Sequence, residues 1–198
     1  MDPRSPLRRR VVIGALAAAV IGGGWLAWRE IARFPPDTTP EGAYLRIAYA
    51  IGQGDVRGCF AYLEERAQHA AWTLRDYRGR ASERVAAAYP EPERGRLIAL
   101  YKAHAGAADA ADVWAGEAER HGWVGRLRRD LSGIVRVETN GERATVETAR
   151  GTRYAFRRRD NGIWGLATFT AELVAEAERA ARDWDVVQRA ATDYERAR

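Results

Sequence analysis

The chain of 198 residues has one cysteine, Cys59, one methionine and one lysine, Lys102. A single thiol can form neither an intramolecular disulfide nor a thiolate cluster around a metal. Cys59 falls in an apolar helical stripe and reads as a small core residue. Phosphate-binding glycine loops and G-x-S-x-G elbows are absent, and no histidine follows a usable nucleophile pattern. Arginine supplies 31 of the 32 basic residues. Its fork suits carboxylates and phosphates, yet so uniform a bias fits a GC-rich coding sequence better than a selected anion site.

The net charge of +5 is unevenly spread. Residues 1–30 hold five arginines against Asp2 and Glu30, and the rest of the chain is nearly balanced, with 27 basic and 25 acidic groups. That balance leaves no basic domain of the kind that neutralises a row of phosphates, so nucleic acid is not an expected partner. A composition 46% hydrophobic and 30% charged allows one globular domain with a real core.

What is present first is an uncharged run from Val11 to Trp28, directly after Arg8, Arg9 and Arg10. At 1.5 Å per residue it reaches about 27 Å, enough for a hydrocarbon core. The arginines predict a cytoplasmic N-terminus and an external remainder. A cleaved signal peptide is the competing reading. Its small-residue sites come too early at Ala17 to Ala19, or are followed by more apolar sequence after Gly22 to Gly24. The expectation is therefore a basic tail (1–10), a transmembrane helix (11–28), a linker (29–37), a domain (38–169) and a C-terminal helix (170–198).

Thr38-Thr39-Pro40-Glu41 reads as a helix start. Tyr44, Ile47, Ala48 and Ile51 then share one helical face. Gly52 to Gly54 break it, and Asp55 can cap a second pattern running from Val56 through Val85, with room for a bend or a split at Gly79. Leu97, Leu100, Tyr101 and His104 predict a third face, Val113, Trp114 and Ala118 a fourth, and Val124, Leu127 and Leu131 a fifth.

From Ile134 to Ala167 four alternating runs are separated by glycine turns, predicting a four-stranded antiparallel meander. A two-residue Asn140-Gly141 loop sets Val135 opposite Val146, Val137 opposite Ala144 and Glu138 opposite Arg143. Parity demands a three-residue loop at Ala149-Arg150-Gly151, pairing Val146 with Tyr154 and Ala144 with Phe156. Asp160-Asn161-Gly162 likewise brings Phe156 opposite Leu166 and Arg158 opposite Trp164. Beyond it, Thr170 can cap a long helix whose seam of Leu173, Ala177, Ala180, Trp184, Val187, Ala191 and Tyr194 recurs at steps of four and three. The class is α+β, with helices packed on the meander.

The order of these elements carries a resemblance. Thr39-Pro40-Glu41 to Ala43, Gly54-Asp55, the N-G-E-R-A-T-V run from Asn140 to Val146 and the D-N-G-I-W run from Asp160 to Trp164 together resemble the nuclear transport factor two-like, or cystatin-like, superfamily. The resemblance implies a cone of curved sheet around helices, whose mouth holds a ligand, an active site or a protein contact. Isomerases and dehydratases of that superfamily use acid, base and tyrosine groups inside the cone. Tyr154, with Glu142, His104 and Thr148, would be such a candidate pocket, although no catalytic motif matches residue by residue. Two further features are weaker. Glu117 and His121 stand one helical turn apart, as metal ligands do, but such pairs are common by chance, and no metal or cofactor is expected. The alanine-rich seam suits packing within this domain better than an independent coiled coil, and with dimerisation or partner docking as the alternative, Trp184, Val187 and Tyr194 on the last helix are its candidate contacts. The layout resembles inner-membrane assembly factors of type IV secretion systems and proteins of lipid importers, one span followed by such a domain. The functional expectation is a bacterial-type inner-membrane protein with one span, whose periplasmic or otherwise extracytoplasmic domain is an interaction or assembly module. A small-molecule or isomerase-like pocket protein is the alternative.

Overall fold

Thr39 opens the first helix by accepting a hydrogen bond at Oγ1 from the Gly42 N–H at 3.1 Å, with Pro40 in the first turn. In a computed structural model that describes residues 34–197, this helix, α1, spans Pro40–Gln53. The run expected to cross a membrane, 11–28, lies outside the described residues. Among the described residues no helix is long and apolar enough to cross one.

Asp55 accepts from the Gly58 N–H at 2.8 Å and starts a 3-10 helix at Arg57–Tyr62. The pattern expected from Val56 to Val85, with a bend or a split at Gly79, is interrupted earlier and forms two helices. The backbone extends at Leu63 and Glu64, where Leu63 bridges Leu166 in parallel and the Glu64 N–H donates to the Leu166 carbonyl at 3.1 Å. Tertiary pairing to a strand edge thus outweighs a continuous apolar period. Helix α2 then runs unbroken through Gly79, from Glu65 to Ala88. Three more follow: α3 (Glu93–Ala105), α4 (Ala110–Arg120) and α5 (Trp123–Asp130). On α3 the buried face is Leu97 and Tyr101, whereas Leu100, expected beside them, is 63% exposed.

The sheet is the expected meander, in the order β1-β2-β3-β4, with β1 at Ile134–Asn140, β2 at Arg143–Thr148, β3 at Arg153–Arg158 and β4 at Trp164–Leu166. The last two hairpins pair as the turn parities require: Val146 with Tyr154, Ala144 with Phe156, Phe156 with Leu166 and Arg158 with Trp164. Gly151 and Gly162 sit at φ 77° and 83°, the left-handed positions of those loops.

The first hairpin differs by two residues. Val137, not Val135, faces Val146, and Asn140 pairs with Arg143. The loop is Gly141-Glu142, with positive φ at Gly141 alone, the II′ pattern rather than the I′ turn that would need Asn140 left-handed. A shift of two keeps the side chains from Arg136 to Asn140 on their expected faces. It also puts an irregularity between Ile134 and Arg136, which turns Val135 outward to 67% exposure. On the polar face Glu138 pairs with Arg136 at 3.0 Å and Arg153 at 3.4 Å instead of with Arg143.

Helix α1 and the 3-10 helix lie on the apolar face. Tyr44, Ile47 and Leu63 share one buried cluster with Val146, Tyr154, Phe156 and Leu166. Trp164 fastens the incoming chain, its backbone N–H donating to the Asp37 carbonyl at 3.1 Å and its Nε1 to the Thr38 carbonyl at 3.0 Å.

The last helix, α6 (Thr170–Arg196), packs along α2. Its cap position is Phe169 and not Thr170, whose hydroxyl is buried without a partner. The far ends of α2 and α6 and helix α3 form a second core of Val85, Tyr89, Leu97, Tyr101, Val187 and Ala191. From Pro36 onward the described residues form one compact unit, which includes α6.

Candidate functional site

The four candidate pocket residues lie in different surroundings. Tyr154 is buried against Tyr44, with ring centroids 5.8 Å apart. Its hydroxyl has no hydrogen-bond partner, and burial, reinforced by Tyr44, pushes the phenol up to about 12. A phenol so placed stays protonated and is a poor base. Thr148 is buried with an unpartnered hydroxyl. Glu142 stands exposed in the first hairpin loop, at the edge of a polar cleft of about 410 Å³ that it shares with Glu64, Arg157, Arg158 and Arg159. His104 belongs to the helical layer, where its partner is Glu117.

The space above Val146, Tyr154 and Phe156 is filled. Tyr44 and Leu63 are each 1% exposed there. The Tyr44 hydroxyl is engaged at both ends, donating to the Ser132 carbonyl at 2.6 Å and accepting from the Ser132 N–H at 3.0 Å.

The second candidate group, on the C-terminal helix, is turned inward. Val187 is 3% exposed, and its carbonyl accepts from the Tyr89 hydroxyl at 3.3 Å. Trp184 and Tyr194 are half-buried against the second core, and the Tyr194 hydroxyl donates to Glu93 at 3.1 Å. Arg78 to Asp183 at 2.6 Å and Arg84 to both oxygens of Glu195 fasten α6 further to α2. The seam is therefore satisfied within the chain.

Among the described residues, a set of ionisable groups comes together from α3, α4 and α6. Glu117 is 1% exposed. The His104 ring contacts its Oε1 through Nε2 at 2.5 Å, and on Oε2 it receives Arg120 and, at 3.2 Å, His121 Nε2. Glu176, from α6, lies 3.8 Å from His121 Nε2 and 3.9 Å from Arg120, and it accepts from Arg179 at 2.8 Å. Burial pushes the Glu117 carboxyl up, but the hydrogen bonds from His104 and Arg120 and their charges outweigh it, so the group sits below its ordinary value. The His121 ring stacks on Trp123 at 4.9 Å, and Trp123 stacks in turn on Phe169 at 4.8 Å.

Of this group, the Glu117-His121 pair was legible from its helical spacing. Glu176 was missed. The available signal was a glutamate directly flanking a buried seam position, Ala177, on a helix otherwise polar on its outer side.

The chain matches no protein-family model, no curated protein and no solved structure.

Proposed function

We propose that this domain is the extracytoplasmic part of a single-span envelope protein, held in a bacterial-type inner membrane by residues 11–28, and that it acts as an interaction or assembly module. One observation carries the reading. The face of the sheet that would line a ligand cone is packed with Tyr44 and Leu63, and the best-placed hydroxyl, Tyr154, is sealed into that packing. Molecular recognition is left to the exterior. The helices-then-meander order supports a nuclear transport factor two-like ancestry in which the interior has become core. The same filling argues against the isomerase-like or small-molecule alternative.

The exterior offers apolar side chains suited to a protein contact. Tyr49, Trp72, Leu100, Val135 and Val186 are each about half exposed or more. A groove of about 400 Å³ between α1 and the α5–β1 connection is lined by Leu45, Ala48, Ile51 and Leu131. Large apolar side chains left in water favour association over solubility.

The test is site-specific photo-crosslinking of the full chain in its own membrane. A photoreactive residue at Tyr49, Leu100, Val135 or Val186 should yield a discrete adduct with one protein from some of these sites, and none from the exposed charged controls Arg136 and Glu172. Absence of adducts, together with a small molecule retained stoichiometrically by the purified chain, would reverse the reading in favour of a pocket.

A further inference from the structure

Two carboxylates from separate helices converge on one imidazole at the junction of α4 and α6. The ligating atoms of His121, Glu117 and Glu176 all lie within 4.8 Å of one another. Tetrahedral ligands about 2.0–2.1 Å from a zinc ion stand about 3.3 Å apart. The His121 to Glu117 separation of 3.2 Å already meets that value, and the His121 to Glu176 separation of 3.8 Å exceeds it slightly. The separation between the two carboxylates lies within 4.8 Å, so closing the set requires them to draw together by up to about 1.5 Å.

What fills the gap is itself a cation. The Arg120 guanidinium bonds Glu117 and lies 3.9 Å from Glu176, so it stands between the two carboxylates where a metal dication would stand. Its side chain is 51% exposed, free to swing into solvent when displaced. Glu117 has no such exit at 1% exposure. A dication with two carboxylates and a neutral imidazole makes an electrically neutral centre, which suits a buried position; Arg179, which bonds Glu176 at 2.8 Å, is 57% exposed and, like Arg120, can turn to water to release its carboxylate.

The surroundings suit a ligand set. His104, on the other oxygen of Glu117, holds that carboxylate in orientation, as outer-layer partners of metal ligands do. Trp123 fixes the plane of His121 by stacking at an interplanar angle of 15°. The His121 side chain remains 33% exposed, which leaves an entry path and room for water on the metal.

We propose that His121, Glu117 and Glu176 form a binding site for a borderline transition-metal dication such as Zn²⁺, with Arg120 as the internal cation that occupies the gap without metal and His104 as a positioning residue. Mixed nitrogen and oxygen donors of this kind favour zinc and its first-row neighbours over calcium or magnesium. The proposal does not depend on the interaction reading.

The experiment titrates the full-length chain, stripped with a chelator, with Zn²⁺ against a chromogenic zinc indicator. One equivalent should bind. His121→Ala and Glu176→Gln should each weaken binding by at least about tenfold, whereas Arg120→Ala should tighten it by removing the competitor. His69→Ala, at an exposed histidine on α2, should leave it unchanged. Far-UV circular dichroism checks that each variant is folded, and Co²⁺ absorption gives a readout that needs no variant, since bound Co²⁺ should show bands displaced from those of the aqueous ion. No stoichiometric binding by the wild-type chain, binding unaffected by His121→Ala and Glu176→Gln, or weaker binding by Arg120→Ala would each overturn the proposal.

Discussion

Gly165 lies against Glu64 so closely that a Cβ added to it would come within 2.5 Å of the Glu64 Cα and 2.6 Å of its nitrogen. This crossing explains why the chain straightens at Leu63 and Glu64 instead of continuing as helix, since the segment pairs with β4 across a residue that has no side chain. Gly165→Ala should therefore force backbone apart and cost about 1–3 kcal/mol, read as a lower denaturation midpoint with an unchanged m-value.

Glu117 gives the domain an acid-sensitive component. Its folded-state pKa lies below the ordinary 4.5, so the stabilisation it contributes is present above that value and is lost as pH falls through the folded pKa. Thermal unfolding should show Tm falling on the acid side of pH 4.5. Glu117→Gln should flatten that acid limb. Glu117→Ala, which strands His104 and Arg120, should cost about 3 kcal/mol at neutral pH, the low end for a broken buried pair because Arg120 can turn to water.

The second core depends on the far end of α6. Val187→Ala should destabilise by about 2 kcal/mol, and hydrogen exchange should rise chiefly at α3 and the last turns of α2 and α6. A uniform rise over the sheet as well would show that the two cores unfold as one.

Cys59 is 1% exposed, and burial, with the charge of Asp55 adding to it, pushes its thiol up to about 12. It should resist maleimide in the folded chain at pH 7. Cysteines introduced at Glu172 or Arg136, both exposed, then report topology cleanly. A membrane-impermeant maleimide should label them in cells whose outer barrier alone is opened, and labelling only after lysis would place the domain on the cytoplasmic side.

Much of the fold was legible because local chemistry dictated it. Thr39-Pro40 and Asp55 mark helix starts, and Gly151 and Gly162 hold the loops whose lengths the alternation of faces requires. The first hairpin differs by two residues because Gly141 can serve either as the second residue of an Asn140-Gly141 loop or as the first of a Gly141-Glu142 loop, and the local turn chemistry alone does not choose between them. The break before α2 was invisible because its cause, the approach of Gly165, lies about a hundred residues away in sequence. The candidate site divides along the same line. Glu117 and His121 share a helix turn, whereas His104 and Glu176 arrive only through helix packing. Trp184, Val187 and Tyr194 form the seam that their spacing predicts, and its companion is α2.

If the covered face of the sheet is core, as the packing of Tyr44 and Leu63 over Tyr154 implies, the proposed recognition falls to the exterior. Tyr154→Phe tests it most directly, since the change removes a hydroxyl that is buried without a partner and leaves the ring in place. The Tm should be unchanged or raised, equivalent to about 0–1 kcal/mol, with crosslinking from the exterior sites undiminished. A lowered Tm, or loss of the adduct or of a bound small molecule on removing that one oxygen, would contradict it.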